Sequence, residues 1–186
     1  MKLKYLKCSI ILPFLLWGCS NISDEGLNNQ PAYFPIQEFV EVVAEKAEGK
    51  NLIKEVNING EKERVTTKPT TEDWLKELSF FLEADINRPA LAQSYHSERS
   101  ESALIHELKE GEKGKIKRIV VKFNEDKVKE ISFRSRTENP FYSSETRGVM
   151  IFHSEYGELD QFSIENTQEV VFSKPNKLII SASVFE

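Results

Sequence analysis

From Pro35 onward the apolar positions form two helical stripes and then a long stretch of strand-like alternation. Ile36, Phe39, Val40, Val43 and Ala47 recur at helical spacing while Glu38, Glu41, Glu45 and Lys46 fall off that stripe, so Pro35 opens a helix with one apolar face and Gly49 stops it. Residues 52–58 and 61–67 flank Asn59-Gly60, a pair suited to the two positive-φ positions of a type I′ turn, which predicts a β-hairpin. A second helix starts after Thr70 or Thr71, either able to cap it, with Glu72 and Asp73 complementing its dipole. Its stripe is Trp74, Leu75, Leu78, Phe81 and Leu82, and Asn87-Arg88-Pro89 closes it because the residue before a proline avoids the helical region. The chain from there to Glu98 reads as a long connection.

Strands follow at residues 103–109, 115–123, 128–137, 141–153, 158–166 with a continuation at 170–172, and 177–185. The links between them are short and rich in Gly, Asn, Asp and Pro, so neighbours must run antiparallel. Ile119, Val121 and Phe123 share one side opposite Arg118 and Lys122, and Leu178, Ile180, Ala182 and Val184 repeat the alternation. A sheet with one apolar face must be covered, and the two helices are the available cover. The expected fold is α+β: two amphipathic helices and a β-hairpin, then an antiparallel meander of about six strands, in a single domain over residues 32–186.

The first residues read differently. Lys2, Lys4 and Lys7 precede an apolar run at residues 8–17, ten residues where a bilayer-crossing helix needs about twenty. The run ends in Leu16-Trp17-Gly18-Cys19, which resembles the lipobox of bacterial lipoproteins; Gly18 fits its small position, and the bulky Trp17 departs from the usual small residue. The resemblance implies that residues 1–18 are a signal peptide and that Cys19 receives diacylglycerol and becomes the new N-terminus. The alternative is a plain secretory signal in which Cys19 is incidental. Residues 19–31, rich in Asn, Ser, Asp and Gly, are expected to be a flexible tether.

Charge and cysteine content narrow the chemistry. Cleavage would remove three lysines and no acid, moving the net charge from −5 to −8, which argues against nucleic acid or an anionic surface as a partner. Attachment then falls to the lipid, since two or three acyl chains hold a protein stably where one gives marginal binding. Only Cys8 and Cys19 occur; with Cys8 cleaved off and Cys19 acylated, thiol catalysis, disulfides and Cys-ligated zinc are excluded from the mature domain.

His96, His106 and His153 show no metal-binding spacing, and the chain contains no G-x-G-x-x-G, P-loop or G-x-S-x-G pattern, so no cofactor and no catalytic residue is assigned. Arg134 and Arg136 share a strand face that Arg147 can join from the next strand, a possible anion-binding set; a cross-strand salt-bridge ladder with Glu138 or Glu145 is the favoured alternative. Lys113, Lys115, Lys117, Arg118, Lys122, Lys127 and Lys129 read as protection of solvated edge strands.

Finally, Trp74 to Tyr95, with Trp-x-x-Glu-Leu and Ala84-Asp85-Ile86-Asn87-Arg88-Pro89-Ala90, is similar to small Bacteroidetes-type lipoproteins of unknown function. That resemblance implies a cell-envelope lipoprotein and no activity. Ser20, by the sorting habit of Gram-negative lipoproteins, implies the outer membrane. The expected function is a non-catalytic, lipid-anchored module binding an envelope protein. The competing readings are a carrier of a lipid or other apolar ligand under a curved sheet and, third, a hydrolase.

Overall fold

Seven consecutive strands form an antiparallel meander: β3 (Tyr95–Arg99), β4 (Ala103–Leu108), β5 (Ile116–Asn124), β6 (Lys127–Asn139), β7 (Tyr142–Phe152), β8 (Leu159–Val170) and β9 (Asn176–Phe185). They belong to a computed structural model that describes residues 31–153 and 155–186; the leader, Cys19 and the tether through Gln30 lie outside these residues. Val121, Ile131, Met150, Phe162 and Ala182 are successive cross-strand partners, and Ile119, Phe133, Gly148, Ile164 and Ile180 make the neighbouring row. Because side chains alternate between faces, both rows lie on one face, and the sheet acquires an apolar side that must be kept from water.

Three helices, α1 (Ile36–Ala47), α2 (Thr71–Glu77) and α3 (Ser79–Leu82), supply the cover. Phe39 meets Phe152 edge-on with ring centres 5.4 Å apart, and Phe81 meets Phe133 at 5.3 Å. Ile36, Val40, Trp74, Leu78 and Phe81 are completely removed from solvent. Each such side chain contributes about 1.5–3 kcal/mol relative to exposure, so this interface dominates the stability.

The hairpin does not stand apart from the meander, as the sequence pattern suggests. β1 (Asn51–Ile58) pairs with β2 (Glu61–Thr67) and also with β9, through partners such as Leu52 with Val184 and Val56 with Ile180. The result is one open nine-stranded sheet in the order β2-β1-β9-β8-β7-β6-β5-β4-β3. The meander has one strand more than expected: β3 falls in the segment read as a connection because only Tyr95 of its five residues is buried, leaving no alternation to detect. The lysine-rich strand β5 lies inside the sheet, which corrects its reading as an edge. The true edges, β2 and β3, carry Glu61, Lys62, Glu63 and Arg64, and His96, Glu98 and Arg99.

The second predicted helix is broken and ends early. Thr70 and Asp73 form a reciprocal capping box at its start, but Leu78 leaves the helical region (φ −92°, ψ 10°) and regular structure stops at Leu82. Beyond it, Asp85 and Asn87 find better partners outside a helix. Asp85 Oδ2 accepts the Gln37 N–H at 3.1 Å, capping α1, whose Pro35 has no capping side chain. Asn87 accepts the Tyr33 N–H at 2.9 Å and donates to the Phe34 carbonyl at 3.1 Å. Short polar side chains competing with helical hydrogen bonds explain the early stop.

The ends of the sheet are distinct. One carries the β1–β2, β4–β5, β6–β7 and β8–β9 turns, and α1 begins beside it, where the Tyr33 hydroxyl accepts from the backbone N–H of Tyr95, the first residue of β3. From there α1 runs to the opposite end, where Lys50 pairs with Glu158 in the β7–β8 connection.

Gly148 tests the packing of the inner face. It lies directly opposite Phe133, whose ring occupies the space a Cβ would need. Gly148→Ala is expected to cost about 1–3 kcal/mol through overpacking, read as a lower urea midpoint at unchanged slope. An unshifted midpoint would show that the ring does not rest on this glycine.

Candidate functional site

Arg134, Arg136 and Arg147 do share the outer face. Arg134 lies directly opposite Arg147, and Arg136 opposite Glu145. Two guanidiniums facing each other repel, and Glu145 reconciles them: Arg134 donates to both its oxygens at 3.1 Å, while Arg147 donates twice to Oε1 at 2.9 and 2.8 Å. Arg136 donates to Glu138 at 2.9 Å. The Arg134 and Arg147 hydrogen bonds hold the Glu145 carboxyl below its ordinary range, and that of Lys177, 2.7 Å away, does the same for Glu165. A shallow groove of about 310 Å³ runs over this face, lined by Arg136, Glu145, Arg147, Glu165, Thr167 and Glu169. Each of the three guanidiniums is paired with a carboxylate through Nε and Nη2 and remains about half exposed.

The histidines do not converge. His96 is exposed 3.4 Å from Glu98, and His153 stacks on Tyr156 with ring centres 5.1 Å apart. Among the described residues there is no group of three or more His, Cys, Asp or Glu arranged to hold a metal ion.

His106 is buried at 2% exposure, and it faces Ser97 across the β3–β4 ladder with Nδ1 2.8 Å from the hydroxyl oxygen. That contact resembles a nucleophile and its base, but the other ring nitrogen decides otherwise. Nε2 accepts the Phe34 N–H at 3.1 Å, so in the neutral ring the proton sits on Nδ1 and is donated to Ser97. A ring that donates to a serine cannot take its proton. Burial lowers the His106 pKa, keeping it neutral at pH 7. Tyr33 packs edge-on against His106 and Tyr95, and burial pushes the Tyr95 phenol up to about 12, where it stays a donor to the Ile116 carbonyl at 2.8 Å. This cluster fixes where the chain leaves the domain toward its N-terminus.

A third feature has only a faint signature in the sequence pattern. At the end of the sheet beside the start of α1, the β6–β7 and β8–β9 turns touch, the Val171 N–H donating to the Phe141 carbonyl at 3.0 Å. Phe141 is 73% exposed, Phe172 is fully exposed, and Val170 and Val171 are about half exposed. An open notch of about 370 Å³ separates the turns. The sequence pattern reads residues 170–172 as a continuing strand; β8 stops at Val170, and Phe172 adopts a left-handed conformation with φ 64°. The signal that could have found the feature is three consecutive apolar residues abutting Ser173-Lys174-Pro175-Asn176, too close to a turn to reach the core.

No family model, no curated protein and no solved structure matches this chain.

Two variants probe the polar clusters. The folded pKa of Glu145 is depressed, so its contribution is complete above the ordinary 4.5 and is lost as pH falls through the lower folded value. Glu145→Gln should therefore cost roughly 0.5–1 kcal/mol at neutral pH and flatten the loss of stability below 4.5, measured by urea unfolding at both conditions. Parallel pH profiles for variant and wild type would contradict this. The folded pKa of His106 is also depressed, so unfolding takes up a proton as pH falls below 6.5, and stability declines through that window. His106→Phe should cost about 1–3 kcal/mol, because it strands the Phe34 N–H, and should abolish the decline that begins at 6.5. Retention of that decline would place its origin elsewhere.

Proposed function

We propose that this protein is a lipid-anchored, non-catalytic module of a bacterial cell envelope, which engages another envelope component through its sheet face or an edge. The reading rests on one observation: the short apolar run of the leader ends in Leu16-Trp17-Gly18-Cys19, a small residue followed at once by the only cysteine outside the leader. Ser20 favours the outer membrane as the destination. Among the described residues no helix is long and apolar enough to cross a membrane.

The tautomer of His106 weighs against the hydrolase reading, because the one serine–histidine contact described runs the wrong way for nucleophilic attack. Against the carrier reading weighs the filling of the space between sheet and helices by Trp74, Phe81, Ile36 and Leu78, which an apolar ligand would have to displace.

Cys19→Ser is the direct test. In cells fed labelled palmitate, the wild-type chain should carry the label and sediment with membranes, and the variant should lose the label and move to the soluble fraction. An unlabelled wild-type chain, or a variant that still sediments, would defeat the proposal.

A further inference from the structure

The bare end of the sheet points to its own occupant. We infer that the Phe141–Phe172 end dips into the bilayer that holds Cys19, so that the strands stand with this end toward the membrane; the inference rests on the lipid anchoring proposed above.

Four observations carry it. The exposed rings sit on protruding turns instead of on a flat rimmed patch, and the hydrogen bond from Val171 to Phe141 makes the turns one unit. Residues 139–143 carry no charge and residues 170–176 carry only Lys174, so immersing these two turns alone strands no carboxylate of theirs, whereas Glu169 at the notch and the β4–β5 link at the same end, with Lys109, Glu110, Glu112, Lys113 and Lys115, stay on the water side. Asn139, Ser143 and Ser173 around the notch suit the headgroup layer. The chain toward Cys19 also leaves the domain at this same end, beside Tyr95. The twelve residue-to-residue steps from Cys19 to Pro31 reach at most roughly 40 Å when extended, and β3 lies five strands from β8, about 24 Å. The exit of the chain and the tip lie at one end of the sheet, so a single surface can meet both. Two rings bury far less than acyl chains, so the lipid sets retention and the tip sets orientation.

The test uses the lipidated mature chain, residues 19–186, reconstituted into vesicles of phosphatidylethanolamine and phosphatidylglycerol containing brominated phosphatidylcholine. One chain carries Phe172→Trp and another carries Tyr156→Trp at the opposite end of the sheet; the buried native Trp74 gives a constant background. Flotation reports anchoring, and emission reports the tip. The expected result is that both chains float, that the Phe172→Trp emission shifts to the blue and is largely lost to the brominated lipid, and that the Tyr156→Trp emission is quenched only by aqueous acrylamide. Chains that float while the Phe172→Trp emission stays open to acrylamide overturn the inference and leave the anchoring intact. A blue shift without loss to brominated lipid, together with a doubled mass in detergent, overturns it in favour of a second copy covering the tip. Chains that do not float overturn the anchoring and the inference with it.

Discussion

A sheet that is apolar on one side only cannot remain uncovered in water, and in this protein the cover is held in register by a few polar clamps. Trp74, Leu78 and Phe81 supply the buried area, but where α1 begins is fixed by Asp85, Asn87 and His106, each of which bonds to a backbone group between Tyr33 and Gln37. Hydrogen bonds of this kind contribute about 0.5–1.5 kcal/mol each when made, and leaving a buried donor unmade costs more than that mean. The motif Ala84-Asp85-Ile86-Asn87-Arg88-Pro89 is therefore structural, turning away from the helix and locking the N-terminal segment in place. Because α1 starts at the turn-rich end of the sheet, the place where residues 31–33 leave the domain is set by the fold.

That arrangement divides the domain's surfaces among different kinds of chemistry. The inner face is filled by side chains from α1, α2 and α3. The outer face holds interleaved arginines, lysines and glutamates whose pairings are solvated and individually weak. Its stability value is small, and there Arg134 and Arg147 share Glu145 while Arg136 pairs with Glu138. Among the described residues, the turns around Phe141 and Phe172 bring together four of the exposed large apolar side chains, Phe141, Val170, Val171 and Phe172.

Local signals in the sequence were legible and long-range ones were not. The α1 stripe and its Gly49 stop, with φ 82°, follow from periodicity, and Asn59-Gly60 adopts positive φ at both positions as its chemistry demands. The alternation through β5 and β9 identifies the inner face correctly. By contrast, the pairing of β1 with β9 joins segments at opposite ends of the chain, and nothing in either strand names the other. β3 escaped notice because an exposed edge strand has no hydrophobic pattern to enforce. The expected closure at Asn87-Arg88-Pro89 overran the real helical end at Leu82 because Asp85 and Asn87 gained partners that exist only after α1 has docked. For the arginines, alternation gave the shared face, but which carboxylate each meets depends on side-chain positions that spacing does not encode. The deficiency of cysteine and of catalytic spacing was visible at once, and the direction of the Ser97–His106 contact required the Phe34 backbone to be in place.

Phe172 is the residue that folding alone does not explain. A left-handed backbone costs a non-glycine residue about 1–2 kcal/mol, and a fully exposed ring recovers none of it from the core. Glu125 also has positive φ, at 55°, yet it is a charged residue in a tight two-residue turn, and its exposure to water is favourable. Strain alone is thus unremarkable; strain combined with a bare aromatic ring is not. Asparagine or glycine at position 172 would suit the turn better if folding were the only requirement. That conformation fits the contact inferred above, and a pair of turns whose single charge is Lys174, in an acidic protein, is suited to a contact that excludes water. Acidic residues elsewhere oppose approach to an anionic surface, so such a contact is short-ranged, confined to the tip, and oriented by the end of the sheet from which it projects.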